Sequence, residues 1–119
     1  GKEKKKLKQM EKLIAETNGL RNVLIQTIEE LSELSKECSK RLRLEVGDKT
    51  LRDTADCILE CNITEEIADV EFCIEQLKHL LGISDLKIKM IREIKTSRTK
   101  DLLSIKEPVN WIDKGNQQQ

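Results

Sequence analysis

Along most of the chain apolar residues return at intervals of three and four, the spacing of a helix that buries one stripe and leaves the rest to water. Leu7, Met10, Leu13 and Ile14 predict a short amphipathic helix, which Thr17-Asn18-Gly19 should stop. A second helix is expected from about Leu20 to Leu44, with Val23, Leu24, Leu31, Leu34, Cys38 and Leu42 as its stripe and Gly47 and Asp48 as its limit. The periodicity weakens between Val46 and Asn62, where a flexible connection with a helical turn or more is predicted, placed to serve as a lid. Asn62 or Thr64 caps a third helix that runs to Gly82, and on it Ile63, Ile67, Val70, Ile74, Leu77 and Leu81 fall within roughly 80° of one another. Ser84-Asp85 starts a fourth, which ends between Lys100 and Glu107, ahead of Pro108. The expected fold is all-α: a four-helix bundle with long antiparallel helices two and three. Residues 1–8 are a basic end expected to fray, 9–107 the helical domain, and 108–119 a tail in which Trp111 can dock and 115–119 are disordered.

Composition narrows the picture. A chain of 119 residues holds one domain, and one Phe, one Trp and no Tyr against 37% charged residues suit aliphatic helix seams rather than sheets. The net charge of zero gives no bulk attraction for nucleic acid or an anionic membrane, and no stretch is long and apolar enough to span a bilayer. The N-terminal lysine run lacks the apolar core of a secretory leader, so a cytoplasmic protein with Cys38, Cys57, Cys61 and Cys73 reduced is expected. Those cysteines have neither C-x-x-C spacing nor a nearby His, which argues against structural zinc. Charge is unevenly spread: residues 53–77 carry eight acids and no Lys or Arg, while 78–100 carry seven Lys or Arg against two acids. An acidic helix followed by a basic one can simply pair, but it is also what a metal-plus-phosphate site requires.

Two stretches carry candidate chemistry. Glu29-Glu30-Leu31-Ser32-Glu33 and Glu65-Glu66-Ile67-Ala68-Asp69 each place two acids three residues apart, so that both project from one side of a helix. Packed side by side, the two helices bring Glu30, Glu33, Glu66 and Asp69 together, and four carboxylates in a partly dry groove repel unless a cation holds them. Hard oxygen donors suit Mg²⁺, with Mn²⁺ as a second choice. Solvated surface acids are the plainer account of such pairs. Against it, Glu66 falls at the edge of the apolar arc beside Cys73 and Leu80, where at least half burial is expected. Glu30, Glu33 and Glu37 flank the second helix's stripe next to Gln26. Glu29 or Glu33 could accept a proton from water, and Lys36, Lys40, Arg92, Lys95 and Arg98 could neutralise phosphate oxygens, although a solvated cation explains each lysine and arginine equally well. His79, about 140° round from the acids, is read as a surface residue. Ala68 and Phe72, opposite the third helix's stripe, suggest a subunit interface. Neither acid pair is the E-x-x-H of a di-iron bundle.

The words Gln26-Thr27-Ile28-Glu29-Glu30-Leu31-Ser32-Glu33-Leu34 and Thr64-Glu65-Glu66-Ile67-Ala68-Asp69-Val70 resemble the E-x-x-E and E-x-x-D motifs of the all-α, MazG-like nucleoside triphosphate pyrophosphohydrolases. The likeness covers roughly residues 20–100. It implies Mg²⁺ held by Glu30, Glu33, Glu66 and Asp69, with Glu29 as a further ligand or base. It also implies cleavage of a nucleoside triphosphate to the monophosphate and pyrophosphate, in a homodimer or homotetramer. Gln26 and Cys73 fall where relatives line the nucleotide pocket. Cys73 stands where Asn or Tyr is frequent, and helix one lacks the aromatics that stack on a base, so no particular base or sugar is implied. The competing expectation is a non-catalytic helical interaction module with a degraded site.

Overall fold

The computed structural model describes residues 1–47 and 56–107, with three helices and no strand among them. These are α1 (Lys2–Glu45), α2 (Asp56–Leu81) and α3 (Asp85–Leu102). No helix among the described residues is long and apolar enough to cross a membrane. The all-α expectation stands; the first two expected helices are joined across a kink into one element, so three helices are described and a four-helix bundle is not seen among the described residues. At Gly19 the backbone takes φ 81° and ψ 158°, a conformation essentially confined to glycine, and the helix resumes at once on the far side. Local side chains hold the break together: Thr17 Oγ1 donates to the Leu13 carbonyl at 2.8 Å and Asn22 Nδ2 to that of Asn18 at 2.9 Å. Thr17-Asn18-Gly19 therefore breaks the helical backbone where expected, and no loop separates the two segments. Lys2–Lys8, expected to fray, are the first turns of α1. The third expected helix starts earlier than Asn62, at Asp56. Part of the proposed lid (48–55), Trp111 and the whole 108–119 tail lie outside the described residues.

The chain divides into two compact units, Gly1–Ile83 and Ser84–Gln119. In the first, α1 and α2 form an antiparallel hairpin: Asn18 Nδ2 donates to Gln76 Oε1 at 3.2 Å, and Glu16 meets His79 at 2.9 Å. Higher numbers on one helix thus face lower numbers on the other. The buried line consists of Ala15, Val23 and Thr27 from α1 and Leu59, Val70, Cys73 and Gln76 from α2. Gly82, at φ 65°, closes α2 with a six-to-one bond from the Ile83 amide to the Lys78 carbonyl at 2.9 Å.

Val23 and Val70 of the expected stripes are buried, but the rest of the packed faces is not the greasiest, which corrects those stripes in part. Leu24 (43%), Leu31 (49%) and Leu42 (65%) on α1 remain exposed, as do Ile67 (44%), Ile74 (41%) and Leu81 (50%) on α2. Cys38, also assigned to the stripe, is exposed. Instead α1 packs along Val23, Thr27, Glu30, Leu34 and Glu37, spaced alternately four and three apart. That spacing keeps one line of contact along two antiparallel helices. Ala68 and Phe72 face outward.

In the second unit Ser84 caps α3, its hydroxyl accepting from the Lys87 amide at 3.2 Å. The helix ends in a turn through Ser104, at φ 54°, with the Ile105 amide bonded to the Lys100 carbonyl at 3.0 Å. No α3 side chain is buried.

Candidate metal centre

The shift of the packing line brings acids into the α1–α2 seam. Glu30 follows Thr27 by three residues and Val23 by seven, so it lies on the contact line itself rather than beside it. From α2, Glu66 and Asp69 meet it across the seam. One carboxylate oxygen from each of Glu30, Glu66 and Asp69 lies within 4.8 Å of the other two. All three residues are mostly buried, and Glu66 Oε2 is sealed from solvent without a hydrogen-bond partner. Carboxylates that close have no donor between them unless one is protonated or a cation is bound. Accordingly the Glu30 carboxyl is held above the usual carboxylate range, chiefly by burial and then by the charges of Asp69 and Glu66.

Beneath the acids lies Cys73, only 1% exposed. Burial pushes its thiol up, a contact with Thr27 pulls it partly back, and the charges of Glu30 and Asp69 add to the rise. Thr27 Oγ1 donates to the Val23 carbonyl at 2.6 Å, so its hydrogen is committed to the helix. The floor is therefore a neutral thiol and a satisfied hydroxyl. Cys73, expected in the nucleotide pocket, is a covered floor residue, and Gln26 is exposed on α1.

The other expected site residues stand outside the three-acid group. Glu33 is exposed and accepts from Lys36 Nζ at 3.1 Å; Glu29 is exposed as well. Three residues after Glu30, Glu33 sits about 60° round the helix from it, which takes it off the seam line. Lys40 pairs at 3.1 Å with Glu37. Arg92, Lys95 and Arg98 are exposed on α3 in the second unit. His79, expected at the surface and not as a ligand, meets Glu16 there at 2.9 Å.

Two seam residues escaped the sequence reading. Gln76 is fully buried, accepting from Asn18 and donating to the Phe72 carbonyl at 3.4 Å. Thr27 is the second. Glu37, set by the sequence on the flank of the stripe, lies in the seam too, its side chain 12% exposed and its Oε2 buried without a partner. The alternating four-and-three spacing from Val23 to Glu37 is the signal that finds Thr27 and Glu37; hydropathy alone hides it.

Comparison with known families, curated proteins and solved structures finds no match for this chain.

Proposed function

We propose that the protein is a Mg²⁺-dependent nucleoside triphosphate pyrophosphohydrolase, releasing pyrophosphate and a nucleoside monophosphate. The observation that carries the reading is the convergence of Glu30, Glu66 and Asp69 within 4.8 Å, with a buried Glu66 oxygen lacking any donor. A donor set of carboxylate oxygens only fits a hard divalent ion, Mg²⁺ or Mn²⁺, better than zinc or copper. Such an ion would supply positive charge to offset that of an incoming polyphosphate. In the net reaction water adds to the α-phosphorus, the bond to the α–β bridging oxygen breaks, and pyrophosphate departs with that oxygen.

The chain's own residues have separable tasks. Glu30, Glu66 and Asp69 would hold the ion, and the neutral Cys73–Thr27 floor keeps water from beneath them. Glu33 can join: its pair with Lys36 is exposed and worth only about 0–1 kcal/mol, so a rotamer change frees it to ligate or to accept a proton. Glu29 is the second candidate for the proton. Lys36, once released, and Lys40 are the cations of the same unit available for phosphate oxygens. The same reading expects a homodimer or homotetramer. The rival reading, a non-catalytic interaction module, draws support from the pairing of Lys36 and Lys40 with acids of their own turn, which leaves neither waiting for a ligand.

Pyrophosphate release from a panel of nucleoside and deoxynucleoside triphosphates with Mg²⁺ separates the two. Activity on at least one nucleotide is expected, falling on the order of a hundredfold in Glu66→Gln. No release from any member of the panel would leave the interaction module.

A further inference from the structure

We infer that the first turns of α1, residues 2–14, are a basic amphipathic arm that lies on an anionic lipid surface. The inference goes beyond the metal centre and does not depend on it. Glu16 meets His79 at 2.9 Å and α2 ends two residues later, at Leu81, so α1 runs on past its partner for about 20 Å. Ala15 is the first buried residue of α1, and every residue from 2 to 10 is exposed. At 100° per residue, Leu7, Met10, Leu13 and Ile14 fall within roughly 120° of one another. Leu7, Met10 and Leu13 are 61%, 55% and 56% exposed. Between Leu7 and Ile14 no charged residue falls inside that arc; Gln9 and Glu11 border it, and Glu3 and Lys6 share its line only in the turn ahead of Leu7. Lys2, Lys4, Lys5, Lys6, Lys8 and Lys12, six cations, stand against two acids, Glu3 and Glu11, a local charge of +4 that the zero net charge of the chain conceals.

An anionic bilayer surface is the occupant that uses both halves of this pattern. Lys2, Lys4 and Lys6 lie nearest the apolar arc, where their stems stay at the apolar boundary while the ammonium groups reach the headgroups. Lys5, Lys8 and Lys12 lie on the far side of the helix, about 10 Å from the surface and so near one Debye length. The apolar arc enters the boundary between headgroups and acyl chains; the arm lies on the bilayer and does not cross it. A nucleic acid would engage the lysines and leave Leu7, Met10 and Leu13 in water. Residues 2–14 also offer it neither an arginine for phosphate nor an aromatic for a base. An apolar groove on a protein would cover the arc and leave the lysines without counter-charge.

The test is co-sedimentation of the full chain, without nucleotide or metal, with vesicles of phosphatidylcholine alone or with about a third phosphatidylserine, at about 0.1 M and 0.5 M salt. Binding to the anionic vesicles at the lower salt is expected, and binding at least about tenfold weaker at the higher salt and to the neutral vesicles. The double variant Leu7→Glu/Met10→Glu and the triple variant Lys4→Gln/Lys5→Gln/Lys6→Gln should each weaken it on the order of tenfold or more. Leu102→Glu, at an exposed leucine of α3, leaves it unchanged. No binding of the wild type to anionic vesicles at the lower salt overturns the inference, and that readout needs no variant to fold. Undiminished binding by Leu7→Glu/Met10→Glu overturns the docking of the apolar arc and leaves charge attraction alone. Loss through Leu102→Glu equal to that through Leu7→Glu/Met10→Glu overturns the choice of element, and binding to an RNA oligonucleotide with none to vesicles assigns the arm to nucleic acid. Pyrophosphate release is read separately and bears on none of these outcomes.

Discussion

Glu66 holds a buried oxygen with no donor beside two other acids, so a neutral amide in its place should have opposite effects with and without metal. Leaving a buried acceptor unsatisfied costs about 1–3 kcal/mol, and Glu66→Gln both removes one of three repelling charges and adds a donor for Glu30 or Asp69. In chelator the variant should melt at or above wild type, by up to roughly 5 °C. In Mg²⁺ it should lose most of the wild-type gain in melting temperature. A variant destabilised in chelator and still stabilised by Mg²⁺ would mean that Glu66 is a structural acid and not a ligand. Cysteine chemistry reads the same seam from below. Thiol reagents attack the thiolate, and Cys73 is covered with a raised thiol, whereas Cys38 and Cys61 are exposed. Mass spectrometry after brief alkylation should find Cys38 and Cys61 modified and Cys73 protected until denaturant opens the hairpin. Equal labelling of all three would show that the seam is open in solution.

At the level of elements, the kink at Gly19 positions the hairpin's open end, since Asn18 and Glu16, just before it, reach Gln76 and His79. A Cβ at Gly19 meets nothing within 4 Å, so any penalty comes from the backbone alone. Gly19→Ala must either hold an alanine at φ 81°, at about 1–3 kcal/mol, or straighten α1 and break those contacts. A lower urea midpoint is expected on both routes; a higher one would show that the helix prefers to run straight and that the hairpin does not need the bend. The sequence already showed this position as a discontinuity, because Thr-Asn-Gly opposes helix continuation. The restart at about Leu20 was expected as well; what the sequence could not show is that Gln76 and His79 of α2 meet the residues just before the break. Helix existence was legible in the three-and-four spacing, while the packed face was not. Hydropathy ranks faces by greasiness, but this hairpin closes on Thr27, Cys73 and Gln76, small or hydrogen-bonded side chains, and leaves Leu24, Leu31, Ile67 and Ile74 outside. For the same reason the acid motifs pointed to four converging carboxylates where three meet: on the observed line Glu30 faces α2 and Glu33 does not.

On the scale of the whole molecule, the proposed metal centre predicts that the acid cluster couples folding to both pH and divalent ions, with opposite signs. Glu30 titrates above its ordinary 4.5 in the folded protein, so the native state binds that proton more tightly than the unfolded chain. Its contribution to stability is fully present below the unfolded value and is lost as pH rises through the raised native one. Metal-free protein should therefore lose stability from this group as pH rises from 4.5 through that raised native value. A divalent ion needs the carboxylates deprotonated, so its stabilisation grows over the same interval and reaches about 2.7 kcal/mol at a hundredfold excess over its Kd. Melting curves at pH 5 and pH 7.5, each with chelator and with Mg²⁺, and with NaCl at matched ionic strength, give the sign directly. The Mg²⁺ increment should be small at the acidic pH and several degrees at the neutral one, where NaCl does not reproduce it. An increment equal at both pH values and matched by NaCl would be screening of the 22 acidic and 22 basic side chains at large, leaving Glu30, Glu66 and Asp69 as a repulsive cluster that holds no ion.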